Sequence, residues 1–93
     1  MLQTRTHLII TGRVQGVYYR AFVRDIANHL GLSGWVRNLD DGSVEAFFEG
    51  SKEHIEQAIG QCRIGPPGAR VEDIGVTWDE FKGDLNGFQI RHY

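Results

Sequence analysis

Several absences narrow the field at once. Cys62 is the only cysteine, so no intrachain disulfide can form, and a reducing cytoplasm is the expected compartment. No apolar run approaches the ~20 residues of a membrane span, and Met1–His7 lacks the apolar segment that a secretion signal requires. Neither a membrane nor export is therefore expected. Net charge is −2, so no nucleic-acid footprint is written across the chain. The four histidines, His7, His29, His54 and His92, show no zinc spacing, and Cys62 has no partner thiol. There is no Gly-x-Ser-x-Gly elbow. The interval from Gly12 to Gly16 is too short for a Walker A loop, and no Gly-Lys-Ser/Thr follows it. Asp40-Asp41 is a pair of acids, but in a hairpin turn such pairs serve turn chemistry more often than Mg²⁺. Cys62 falls on an apolar helix stripe and reads as a small core residue. No metal and no cofactor are expected.

What is present fits one compact domain, expected to span residues 1–93. Residues 7–14, with Leu8-Ile9-Ile10, predict a first strand, and a Gly-bearing loop follows over 14–19. A helix is expected over 21–30, with Phe22, Val23, Ile26, Ala27 and Leu30 on one stripe and Arg24, Asp25, Asn28 and His29 opposite. Gly31 suits a left-handed C-terminal cap. Strands are expected over 34–39 and 43–49, joined by the hairpin signal Asp40-Asp41-Gly42. Val44, Ala46 and Phe48 alternate with Glu45, Phe47 and Glu49 there; Trp35 and Arg37 share one face of the preceding strand, as a strand aromatic and a solvated charge. A second helix is expected over 52–63, N-capped by Ser51, with Ile55, Ala58, Ile59 and Cys62 buried. Gly65-Pro66-Pro67-Gly68 ends it; strands follow over 69–80 and 87–92, with a polar turn over 82–86. The order β-α-β-β-α-β plus a final strand predicts an α+β, ferredoxin-like split β-α-β sandwich: a mainly antiparallel five-stranded sheet with two helices on one face.

The stretch Gly12-Arg13-Val14-Gln15-Gly16-Val17-Tyr18-Tyr19-Arg20 carries the chemistry. The first turn of a helix leaves backbone N–H groups unpaired and partly positive, and a loop aiming further N–H groups at the same point makes an anion cradle. Arg20 adds a planar guanidinium suited to phosphate oxygens. A cation at a helix start opposes the macrodipole by ~0.3–1 kcal/mol, a placement that makes sense with an anion between them. Without that anion, Arg20 is simply a surface cation on a βα turn.

The stretch from Gly12 to Arg20 resembles the first signature of the acylphosphatase family, and Gly34-Trp35-Val36-Arg37-Asn38 followed by Asp41-Gly42-Ser43-Val44-Glu45 resembles its second. The two cover roughly residues 12–50, and the likeness is weakest over 66–87. Positions 18–19 are Tyr-Tyr where many members carry Phe or Gly-Phe. The resemblance implies hydrolysis of a carboxyl–phosphate anhydride to a carboxylate and inorganic phosphate, with a small-molecule acyl phosphate as substrate. It implies phosphate binding by Gln15, Gly16, Val17, Tyr18, Tyr19 and Arg20, and a water oriented by Asn38, making Arg20 and Asn38 the catalytic pair. A short tail and the family's usual ending add the expectation that the α-carboxylate of Tyr93 pairs with Arg20. A start at Met1 and a stop at Tyr93 argue for a free-standing enzyme over a module of a larger carbamoyl-transfer or hydrogenase-maturation protein, and a small domain with no obvious apolar surface helix is expected to be a monomer. An appended regulatory domain is not favoured. RNA-recognition modules share this element order, but Glu45 and Glu49 flank Phe47 on its own face and oppose a phosphate backbone.

Overall fold

The computed structural model describes residues 2–92. Its elements are β1 (Gln3–Arg13), α1 (Tyr19–His29), β2 (Ser33–Asn38), β3 (Val44–Ser51), α2 (Lys52–Ile64), β4 (Arg70–Glu80) and β5 (Phe88–Arg91). The strands form one sheet in the order β4-β1-β3-β2-β5. Three pairings are antiparallel, and β2 and β5 run parallel. The α+β arrangement with a mostly antiparallel five-stranded sheet is as the element order predicts.

Alternation decides which face is covered. Leu8 and Ile10 of β1, Val36 of β2, and Val44, Ala46 and Phe48 of β3 are fully buried beneath the helices. Helix α1 answers with Tyr19, Val23, Ile26 and Ala27, and α2 with Ile55, Ala58, Ile59 and Cys62. These are the stripes that helical periodicity requires. β4 is an edge strand; of its residues only Ile74 is buried.

Several boundaries differ from the sequence expectation for physical reasons. β1 begins at Gln3, not residue 7, because polar Thr4, Arg5 and Thr6 extend the ladder between β3 and β4. Thr6 is fully buried, with its Oγ1 donating to the Thr77 carbonyl at 3.1 Å. α1 begins at Tyr19, not residue 21, which puts Arg20 inside the first turn. Ser51 does occupy the N-cap of α2, but its hydroxyl makes no cap hydrogen bond, and its buried Oγ has no partner among the described residues. Gly31 takes the expected left-handed φ of 69°, and Leu32 N–H donates back to the Ala27 carbonyl at 2.8 Å.

Topology positions the site. β1 and β2 are both antiparallel to β3, which lies between them, so they run in the same direction, and β5 is parallel to β2. The C-terminal ends of β1, β2 and β5 therefore emerge at one edge of the sheet. The loop after β1, Asn38 at the end of β2, and Arg91-His92 at the end of β5 are brought together from distant parts of the chain. Carboxyl ends of parallel strands are where α/β sheets commonly open a crevice.

Candidate active site

The loop between β1 and α1 is built to leave donors free. Gly16 takes φ 75°, and Tyr18 takes the left-handed conformation at φ 61°, ψ 29°. The first helical bond runs from Phe22 N–H to the Tyr18 carbonyl at 3.1 Å. Among the described residues, the N–H groups from Gln15 to Ala21 have no acceptor. A left-handed residue between loop and helix turns successive N–H groups toward one point, which makes an anion nest. The first turn of α1 holds no acidic side chain to fill it.

Side chains around the nest have divided duties. Val17, expected among the phosphate-binding residues, is buried and is not among the residues that line the cavity in front of the loop. Tyr19 is buried beneath the loop, where its hydroxyl donates to the Cys62 carbonyl at 2.7 Å. Burial, with Cys62 beside it, pushes the Tyr19 phenol far above its ordinary range. Burial likewise pushes the Cys62 thiol up to about 12, partly offset by a hydrogen bond with Tyr19. Both stay protonated at neutral pH, so neither is a nucleophile. Tyr18, by contrast, is 87% exposed.

Gln15 joins the loop to the β2–β3 hairpin. Its Nε2 donates to the Leu39 carbonyl at 2.8 Å and to the Ser43 carbonyl at 2.9 Å. The hairpin is closed by Leu39 N–H to the Ser43 carbonyl, and Asp41 accepts from the Ser43 N–H and hydroxyl at 3.0 and 2.5 Å. Those bonds, the hydroxyl's first, hold the Asp41 carboxyl below its usual range. The expected turn role of Asp41 is thus what the structure has. This latch fixes the loop relative to Asn38, which ends β2 one residue before Leu39.

A cavity of about 530 Å³ opens at this edge, and Gln15, Gly16, Tyr18, Tyr19, Arg20 and Asn38 all line it. Asn38 Oδ1 is buried and has no hydrogen-bond partner among the described residues. An orphaned acceptor beside unpaired donors is costly unless a ligand or water supplies the missing bonds. Arg20 Nη1 donates to the Arg91 carbonyl at 3.5 Å and meets His92 Nδ1 at 3.2 Å, so β5 braces the guanidinium from one side. The expected contact to the Tyr93 carboxylate lies outside the described residues.

Besides Ala21, which follows Arg20 in the first turn of α1, sequence reasoning missed three residues lining the cavity. Arg24 lies one helical turn beyond Arg20 and lines it, although the periodicity of α1 placed Arg24 opposite the buried stripe with the solvated residues. Ile90 and His92 line it from β5 and the residue after it. The i, i+4 spacing of Arg20 and Arg24 was a signal for the first; nothing local pointed to the others. Among the described residues, no group of three or more His, Cys, Asp and Glu side chains converges as a metal site. Nor is any helix among them long and apolar enough to cross a membrane.

Fold and cavity together define a small α+β sandwich whose β1–α1 loop, with N–H groups unpaired among the described residues, lines a cavity at one end of the sheet. The acylphosphatase family model matches residues 6–90, and the chain belongs to the acylphosphatase family. The acylphosphatase of Natronomonas pharaonis is 53% identical over 87 residues, covering 94% of each chain. The crystal structure of the Bacillus subtilis acylphosphatase superposes with a TM-score of 0.93 at 36% identity, covering 96% of this chain and 99% of that one. A crystal structure of T. kodakarensis HypF matches at a TM-score of 0.83 and 33% identity, covering 97% of this chain but only 12% of that far longer one. The family's activity is the hydrolysis of acyl phosphates to a carboxylate and inorganic phosphate.

Proposed function

We propose that this chain hydrolyses the carboxyl–phosphate anhydride of small acyl phosphates, with phosphate held by the 14–20 loop and Arg20 and with water oriented by Asn38. The observation carrying this reading is the run of N–H groups from Gln15 to Ala21 without acceptors among the described residues, on a loop that lines one cavity together with Arg20 and Asn38. Phosphoryl oxygens accept from these N–H groups and from the Arg20 guanidinium. Asn38 Oδ1 accepts a hydrogen bond from the attacking water and sets its lone pair toward phosphorus. The new P–O bond forms as the bond to the acyl oxygen breaks, and the departing carboxylate keeps the electron pair. A phosphate oxygen of the substrate takes the water proton. Because a carboxylate is a good leaving group, no strong general acid is needed, and positioning with charge stabilisation suffices. Neither a metal nor a cofactor has a role in this scheme.

We place the chain as a single domain over residues 1–93, monomeric and cytoplasmic, without a nucleic-acid partner. That Cys62 is the only cysteine, and so pairs in no intrachain disulfide, supports a reducing compartment. On the helix-free face of the sheet, Arg5 pairs with Glu49 and Asp84 and Arg37 pairs with Glu45, which spends these cations internally. Light scattering and a low-salt gel shift test those two placements.

The enzymatic reading is tested by time-resolved hydrolysis of benzoyl phosphate in EDTA, with inorganic phosphate as competitive inhibitor. Arg20→Ala is expected to weaken phosphate inhibition and to lower kcat by about a hundredfold or more. Asn38→Ala is expected to lower kcat comparably while leaving phosphate inhibition near wild type. Equal loss of phosphate affinity in both variants overturns this division of labour, and absence of turnover in EDTA overturns the metal-free reading.

A further inference from the structure

Arg20 is not the only guanidinium at this cavity. Arg24 follows it by four residues on α1, so the two side chains rise from the same helix face about 5–6 Å apart at Cβ. His92 borders the same space, and among the described residues no carboxylate lines it. Within Arg24 itself, only Nε has a partner among the described residues, the Asp25 carboxylate at 3.4 Å. Asp25 is largely exposed to solvent and lies on the adjacent position, so it neutralises Arg24 weakly. Among the described residues, both Nη groups of Arg24 are without an acceptor. The loop N–H groups and Arg20 account for one phosphate; a second cation, one turn further along the wall, is more than that phosphate needs.

We infer that Arg24 forms an acyl-tail subsite, giving this enzyme a preference for acyl phosphates whose acyl part carries its own anionic group, a carboxylate or a second phosphate. The inference rests on the phosphate-binding role given above to the 14–20 loop and Arg20. With the phosphoryl group in the nest, the acyl chain leaves along α1 toward Arg24, and Ile90 supplies an apolar wall on the β5 side. A tail anion near Arg24 gains a charge-assisted pair in a partly enclosed, cationic space, and a neutral tail of the same size does not. Arg24 acts on specificity only; it touches neither the reacting phosphorus nor the water.

The test compares 4-carboxybenzoyl and 3-carboxybenzoyl phosphate with the neutral 4-carbamoylbenzoyl phosphate, in wild-type, Arg24→Gln and Arg24→Lys enzymes. Comparing variants on the same substrates cancels the intrinsic reactivity of each anhydride. For the better of the two carboxylated substrates, Arg24→Gln is expected to lower kcat/KM by about threefold to tenfold more than for the carbamoyl substrate. The excess loss should fall mainly on KM, should shrink as salt rises, and should be largely restored by Arg24→Lys. Equal losses on charged and neutral substrates for both carboxyl positions, with Arg24→Gln still folded by circular dichroism, overturn the subsite. Failure of the underlying reading is distinguishable, because wild-type enzyme then turns over none of the three.

Discussion

Tyr18 shows how one residue sets the nest and what that costs. A non-glycine residue in the left-handed region loses roughly 1–2 kcal/mol to contact between Cβ and the carbonyl oxygen. Tyr18 sits there with φ 61° and with a ring too exposed to recover the cost through burial. Its backbone turns the loop, whose N–H groups are unpaired among the described residues, into α1 at the edge of the cavity. Comparing Tyr18→Gly with Tyr18→Ala isolates the backbone, since both remove the ring. Glycine adds unfolded-state entropy, which offsets part of the relief. The Gly variant is therefore expected to be more stable than the Ala variant by about 0.5–1 kcal/mol in urea unfolding. An Ala variant of equal or greater stability would show that the left-handed turn carries no strain. The sequence displayed Gly16 as a position free to take positive φ, and it does. That Tyr18 does so too was not legible, because tyrosine has no local reason to adopt it.

At the scale of elements, β2 must hold Asn38 at the end of a strand pressed between β3 and β5. Gly34 makes that approach possible. A Cβ there would lie 1.7 Å from the Phe47 carbonyl oxygen, with φ 145° in a region that side chains avoid. Gly34→Ala is expected to cost on the order of 3 kcal/mol or more, since backbone, not a movable side chain, blocks the space. Gly60 in α2 is the contrasting case, with nothing within 4 Å of its virtual Cβ. There Gly→Ala should raise stability by about 0.5–1 kcal/mol through helix propensity. Thermal unfolding of the two variants checks both signs, and a mild effect at Gly34 would contradict the packing of β2 on β3. Element order, both buried stripes and the Asp41-Gly42 turn were legible because periodicity and turn chemistry are local. The early start of β1 was not, because Arg5 looks like a solvated charge until Glu49 and Asp84 meet it across the sheet. Arg24 misled for the opposite reason: its stripe on α1 is polar, and only the return of β5 makes that face one wall of a cavity.

Across the whole molecule, the sheet face without helices is closed by side chains instead. Trp35 stacks on Phe47 at 5.7 Å, and the Arg5 guanidinium lies 4.7 Å from the Phe47 ring centroid. Glu49, nearly fully buried, accepts from the N–H groups of Lys82 and Gly83 at 2.8 and 3.3 Å and so fastens the β4–β5 connection to the central strand. Glu45 is the other centre, bonded to His7 Nε2 and to Arg37 Nε, each at 2.6 Å, and it ties β1, β2 and β3 together. Arg37, read from sequence as a solvated charge, is thus half-buried and paired. Burial acts to raise the Glu45 carboxyl, but hydrogen bonds from His7 and Arg37 outweigh it and hold the carboxyl below its usual range. A carboxylate lowered in the folded state binds protons more readily when unfolded. Its contribution is therefore fully present above the ordinary glutamate pKa and is lost as pH falls through the lower folded value. Glu45→Gln should cost about 1 kcal/mol at neutral pH, because charge-assisted bonds become neutral ones. The gap between the two proteins should close on acidification, since the wild-type carboxyl is then protonated as well. Urea midpoints measured from neutral to strongly acidic pH decide the matter. A gap that stays constant to the acid limit would mean that the Glu45 charge, and with it the pairing across β1, β2 and β3, contributes nothing to holding the sheet.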